Sequence, residues 1–227
     1  MGGRGNSFKP GRKRSGGPGG AAENGLGPNV PRDVREALGE KGKSFSVADS
    51  TMEANPYYSR NFAAYSENCQ RVVVAYEMRR RGYDVDALPT YNGDTLPRVA
   101  YIDRSKNLFR GRWTGAFRDA KVESVGVPGN NARAENAVIQ NIADKMRSYG
   151  NGARAVVQIF YRGGGGHVFN VENDGGRIVY AEAQARYMKD IAATMKHVKT
   201  ESVNLVRTDN LRISDRIKNF VHQKGSH

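Results

Sequence analysis

Residues 153–182 read ARAVVQIFYRGGGGHVFNVENDGGRIVYAE, and this stretch decides the fold class. Three runs rich in apolar and β-branched residues, 153–161, 167–172 and 177–182, are typical of strands. The sequence Asn173-Asp174-Gly175-Gly176 between the last two runs has the composition of a hairpin turn. The stretch therefore predicts an antiparallel sheet.

Helical patterns precede this sheet. Residues 132–149 carry apolar side chains at three- and four-residue spacing, which predicts an amphipathic helix. Residues 68–81 predict the clearest helix, with Ser66 as its N-cap, an apolar face and Gly82 as its end. Because helices come first and an antiparallel sheet follows, the sequence predicts the α+β class.

The remaining segments give weaker signals. Shorter elements are predicted as a helix over 31–38, a half-buried strand over 83–88, a fourth sheet strand over 203–207 and a closing helix near 214–221. Residues 40–66 are predicted to lack regular structure, with at most a short helix. Residues 90–130 form a long polar connection for which the sequence gives no prediction of regular structure.

Composition limits the classes of protein that this chain can represent. It has 227 residues, a net charge of +13 and a single cysteine. No run approaches the ~18–20 consecutive apolar residues of a membrane span, and the N-terminus lacks the apolar region of a secretory signal. One cysteine excludes an intramolecular disulfide and a zinc site with several thiolates. The sequence implies neither a metal nor an organic cofactor.

Residues 1–28 differ from the rest of the chain in composition. They hold ten glycines, three prolines and five basic residues against one acid. Such a segment buries too little apolar surface to offset its ordering entropy, so we predict a disordered basic tail followed by one domain over 29–227. A basic tail attracts nucleic acid or acidic protein surfaces.

Two residues have the chemistry of a catalytic pair. Cys69 opens a predicted helix, where free backbone amides and the helix dipole stabilise a thiolate. The same position on an apolar helix face is more typical of an ordinary buried cysteine. His167 begins a strand directly after four glycines, which allow close approach of a substrate, although a strand histidine is usually a half-exposed sheet residue.

A third group comes from the neighbouring strand. Glu182 and Gln184 lie on one strand face, and a hairpin that turns at 173–176 brings them opposite the start of the His167 strand. An acid or amide there can accept a hydrogen bond from the imidazole and fix its tautomer. The chain order cysteine, histidine, acid or amide is the one that a Cys-His-Asp/Asn hydrolase requires.

These segments resemble a known family. Three stretches carry the resemblance: Asn68-Cys69 with residues 75–89, the Gly-His strand 165–172, and the strand 178–184. They resemble the papain-fold toxin domains, which are glutamine deamidase-like domains of bacterial polymorphic toxins and of phage or prophage proteins. The resemblance covers about residues 60–210 and implies a papain-like fold in which a nucleophile helix packs on a small antiparallel sheet.

The resemblance also implies roles for four residues. Cys69 would be the nucleophile, His167 the general base, Glu182 the acid that usually is Asp in the family, and Gln184 a supporting site residue. Glu182 is one methylene longer than Asp, and Ala183 replaces a proline of the family pattern. Both departures bear on where the carboxylate lies.

The resemblance leaves two functions open. The first is a hydrolase that acts on a protein substrate, as a glutamine deamidase or a protease. The second is a non-enzymatic virion or head-assembly protein that uses a papain-like scaffold and binds DNA or capsid proteins through its basic tail. Membrane insertion is not expected. The predicted location is the virion, or the bacterial or host cytoplasm after delivery or synthesis.

Overall fold

The computed structural model describes residues 30–90 and 112–225. Their helices are α1 (Arg32–Leu38), α2 (Val47–Glu53), α3 (Ala63–Ser66), α4 (Cys69–Arg80), α5 (Ala132–Tyr149) and α6 (Ile191–Met195). Their strands are β1 (Val85–Ala87), β2 (Glu123–Ser124), β3 (Arg154–Phe160), β4 (Gly166–Asp174), β5 (Arg177–Glu182), β6 (Tyr187–Met188), β7 (Asn204–Arg207) and β8 (Val221–Gln223). Short 3-10 helices span Trp113–Ala116, Thr200–Ser202 and Asp215–Asn219.

Six of the strands form one antiparallel sheet in the order β2-β7-β3-β4-β5-β6, and β1 pairs separately with β8. The β4–β5 hairpin turns at Gly175 and Gly176, which both have positive φ angles that suit glycine. The hairpin register pairs Asn170 with Ala181. This register brings the start of β4 near the end of β5, where the candidate site residues lie.

The sheet lies between two helical layers. On one side α4 packs against alternate sheet residues such as Val156 and Val168, and on the other side α5 packs against Val157 and Phe169. Alternate residues of one strand therefore belong to different cores. Eleven of the twelve residues of α4 are buried, so this helix is the centre of one core rather than a surface helix with one apolar face.

The predicted α+β class is confirmed, and a helix that begins at Cys69 packs on an antiparallel sheet as expected. Helix α5 and strand β5 have the predicted limits. Strands β3, β4 and β7 lie within two residues of theirs. No helix in the described ranges is long and apolar enough to cross a membrane. The predicted tail 1–28 lies outside the described residues, as does part of the connection 90–130.

Four predictions of local structure are wrong. Ser66 ends α3 and does not cap α4, because the chain turns again before Asn68 takes the N-cap position. The strand predicted as half-buried over 83–88 is limited to β1, whose three residues are all buried, since β8 pairs with it and α4 packs against it. The closing helix is the 3-10 helix Asp215–Asn219 followed by β8. Residues 40–66 hold two helices, α2 and α3, where at most one was expected.

Candidate active site

Cys69 is the first residue of α4 and is buried, with 8% of its surface exposed. The first bonds of the helix run from the backbone amides of Arg71 and Val72 to the carbonyl of Asn68. The amides of Cys69 and Gln70 therefore lie before the first hydrogen bond of the helix. The thiol lies at the positive end of the helix dipole, where a negative charge is stabilised.

A pair of buried asparagines fixes the chain before Cys69. The Asn68 amide nitrogen donates to the side-chain oxygen of Asn55 at 3.1 Å and to the carbonyl of Leu88 at 3.3 Å. Asn55 in turn donates to the carbonyls of Tyr65 and Gln184, both at 2.9 Å. These contacts explain why Asn68 makes no side-chain cap to the helix: its polar atoms hold neighbouring segments together.

His167 joins the cysteine to an acid. The imidazole is hydrogen-bonded to the Cys69 side chain, and its Nε2 lies 2.7 Å from Oε2 of Glu182. The histidine and glutamate side chains are 12% and 5% exposed. Because Nε2 faces the carboxylate, Nδ1 is the ring nitrogen left for the sulfur. The structure thus brings Cys69, His167 and Glu182 into one chain of contacts.

The surroundings of His167 favour its protonated form. Burial lowers the pKa of the imidazole, but the Glu182 carboxylate and the contacts with Cys69 outweigh burial and raise the pKa to about 9. The same pairing has the opposite effect on the pKa of Glu182. Burial raises its pKa, and the charges of His167 and Lys189 lower it below the ordinary value. The pair therefore carries an imidazolium and a carboxylate near neutral pH.

Gln184 lies beside the cysteine helix and not on His167. Its side-chain nitrogen is 3.4 Å from Oδ1 of Asn68, and its carbonyl accepts the bond from Asn55. Of the two groups that the sequence offered as partners of the imidazole, Glu182 makes the contact. Gln184 supports the segment that precedes Cys69.

Three residues of the site were not predicted from the sequence. Lys189, whose side chain is 6% exposed, is hydrogen-bonded to Oε2 of Glu182. Asn55 and Asn68 form the buried pair described above. The pairing of Glu182 with Tyr187 in the β5–β6 ladder brings Lys189 into place, and only this register, which the sequence does not reveal, could have indicated it. In the described ranges no three His, Cys, Asp or Glu side chains form a group that could hold a metal ion.

A cysteine at a helix N-terminus, hydrogen-bonded to a histidine that a carboxylate contacts, is the arrangement that papain-like cysteine hydrolases use. The family model for papain fold toxin 1, glutamine deamidase, matches residues 67–187, more than half of the chain, and the chain belongs to this family. The resemblance noted in the sequence is thereby confirmed. No curated protein and no solved structure compared with the chain matches it.

Proposed function

We propose that this protein is a glutamine deamidase that acts on a protein substrate, with Cys69 as nucleophile, His167 as general acid and base, and Glu182 as the group that orients His167. The observation that carries the proposal is the continuous chain of contacts from the Cys69 thiol through His167 to Glu182. Gln184 is assigned a supporting role through Asn68.

The first half of the reaction forms a thioester. The Cys69 thiolate attacks the side-chain amide carbon of a substrate glutamine, and the carbonyl electrons move to oxygen. The oxyanion would develop beside Cys69 at the N-terminus of α4, where backbone amides and the helix dipole stabilise negative charge. When the intermediate collapses, the C–N bond breaks, and the His167 imidazolium protonates the leaving nitrogen, which departs as ammonia.

The second half hydrolyses the thioester and leaves a glutamate residue in the substrate. His167, now neutral, takes a proton from a water molecule, and the hydroxide attacks the thioester carbon. The C–S bond breaks, the substrate leaves with a carboxylate in place of its amide, and the thiolate and imidazolium are regenerated. The same groups are competent to cleave a peptide bond, since only the leaving amine differs. The family match favours the side-chain amide.

Deamidation and proteolysis are distinguished by mass. The protein is incubated with casein, and the products are measured by intact and peptide mass spectrometry alongside an assay for ammonia. We expect glutamine-containing peptides to gain about 1 Da, with ammonia released and no new chain ends. The control is the same protein after alkylation of Cys69, the one cysteine of the sequence. Casein fragments without the 1 Da gain would instead indicate a protease.

Exposed apolar side chains beside the site suit a protein substrate. Five large ones, Met52, Tyr57, Phe62, Tyr187 and Met188, come from α2, from the segment between α2 and α3, and from β6. The Met188 sulfur contacts the hydroxyl of Thr51 on α2, and the rings of Tyr57 and Phe62 pack on Tyr65, the residue whose carbonyl binds Asn55. We call this group the site rim, because Tyr65 is joined through Asn55 to Gln184 and to Asn68, the residue before Cys69. Clustered exposed apolar side chains are typical of interaction surfaces.

The site rim gives a testable prediction. The double variant Met52→Ser/Phe62→Ser is expected to lower kcat/KM for casein deamidation on the order of tenfold, because apolar contact with the protein substrate is lost. Alkylation of Cys69 by iodoacetamide, which needs no rim contact, should keep its wild-type rate. Val122→Ser is the matched control: it is also an exposed apolar residue, and it precedes β2 at the opposite edge of the sheet. An equal loss in the control would contradict a docking role for the rim.

An association with phage particles, and a scaffold that binds DNA or capsid through residues 1–28, stay predictions. They rest on the charge of that segment and on the net charge of +13. The segment lies outside the described residues, so the contacts of the site bear only on the hydrolase. Both functions are compatible in one chain, since a packaged enzyme would carry its basic segment into the particle.

A further inference from the structure

Lys189 occupies an unusual place beside the candidate catalytic residues. Its ammonium binds Oε2 of Glu182, the same oxygen that contacts Nε2 of His167. The lysine side chain is 6% exposed, and a buried ammonium is retained only where a negative charge compensates it. Oε2 of Glu182 therefore contacts two cationic groups.

The fold holds Lys189 in this place through its backbone. The Lys189 amide donates to the carbonyl of Tyr180 at 2.7 Å, directly after β6 pairs with the end of β5. The Nζ atom lies 5.0 Å from the ring centre of Phe169 and 5.8 Å from that of Tyr187. These rings limit where the ammonium can move, so that Glu182 is its partner in the structure.

We propose that Lys189 is a positioning residue that acts through Glu182: it draws part of the carboxylate charge away from His167 and so keeps the imidazolium able to release its proton. The role of Lys189 in the reaction rests on the proposed function, but its electrostatic effect on His167 does not. The proposed reaction needs His167 first as an acid and then as a base. A histidine that faced the full charge of a buried carboxylate would hold its proton too tightly to give it to the leaving nitrogen, and it would then not be neutral when water must be activated.

The other titratable groups around His167 make the sign of the effect definite. Cys69 on α4 and Glu182 on β5 both raise the pKa of the imidazole. Tyr161, after β3, stays neutral near pH 7, because burial and the nearby charges of Glu182 and Cys69 raise its pKa to about 12. The Tyr187 ring on β6 lies 5.8 Å from Nζ of Lys189. Removal of the Lys189 cation therefore leaves more negative charge beside His167 and must raise the pKa of His167.

The test is a titration of His167 by NMR with ¹³C-labelled histidine and no substrate, with its signal assigned from the His167→Ala spectrum. In the wild-type protein the midpoint is expected at about 9. Lys189→Met should raise it by about 0.5 unit or more, because a neighbouring cation is lost. Lys189→Arg should keep the midpoint within about 0.3 unit of the wild-type value, since arginine also carries a positive charge.

Controls separate this effect from a loss of structure. Lys196→Met makes the same change at an exposed lysine and should leave the midpoint where it is. Lys189→Gln replaces Lys189→Met if the methionine variant does not fold. A midpoint that is unchanged or lower in a folded neutral variant overturns the proposal, as does loss of folding in both variants, which would assign Lys189 to stability alone. Because no substrate is present, failure of the deamidase proposal would leave this result intact.

Discussion

Replacement of His167 by alanine is expected to lower kcat/KM for glutamine deamidation by about 10²–10⁴-fold, the usual contribution of a positioned general acid and base. Without the imidazole, Cys69 loses the partner that its thiol contacts in the structure, and the leaving nitrogen loses its proton donor. Cys69→Ala should remove activity completely, since no thioester forms. Ammonia release from casein measures both effects.

Alkylation of Cys69 reports the same pair without a substrate. Iodoacetamide should label the wild-type thiol readily at about pH 6–7, because the imidazolium and the helix N-terminus stabilise the thiolate. His167→Ala should slow labelling by at least about tenfold, and Glu182→Gln should slow it less, since it weakens only the hold on the ring. Equal, slow labelling of wild type and His167→Ala would mean that Cys69 is an ordinary buried thiol.

Much of this arrangement follows from local sequence. The alternation of apolar residues and the Gly175-Gly176 turn predict the β4–β5 hairpin, and side-chain alternation then places Glu182 within reach of His167. Cys69 at the start of a helix is equally a local property. The extra methylene of Glu182 does not prevent contact, because its carboxylate reaches Nε2 at 2.7 Å.

Other parts depend on contacts between segments distant in sequence, which no local pattern specifies. Ser66 has the chemistry of an N-cap, yet the buried pair of Asn55 and Asn68 decides where α4 begins. Lys189 reads as an ordinary surface lysine until the β5–β6 register brings it to Glu182. Burial of α4 on all sides could not be predicted either, because charged residues such as Glu77 occur along it.

Glu77 shows how these charges are accommodated. Its side chain is fully buried and binds two arginines: Oε1 accepts from Arg81 at 2.7 Å, and Oε2 from Arg154 at 2.9 Å. The Thr208 hydroxyl donates to Oε2 at 3.2 Å. Burial raises the pKa of the carboxyl group, but Arg154 and Arg81 outweigh it and lower the pKa to about 2. The group joins α4 to β3 and to the segment after β7.

Glu77→Gln should therefore destabilise the protein by about 3–5 kcal/mol, because it removes the buried carboxylate that both Arg81 and Arg154 bind. Urea unfolding at about pH 7 measures this loss. The exposed ion pair of Glu36 with Arg32 provides the control, since Glu36→Gln should cost under about 1 kcal/mol.

The folded pKa of Glu77 lies below its unfolded value, so its contribution to stability is complete above about pH 4.5 and declines as the pH falls toward about 2. The stability difference between wild type and Glu77→Gln should shrink over that range. A difference that is small at about pH 7, or that does not change on acidification, would show that the carboxylate does not hold this part of the core together.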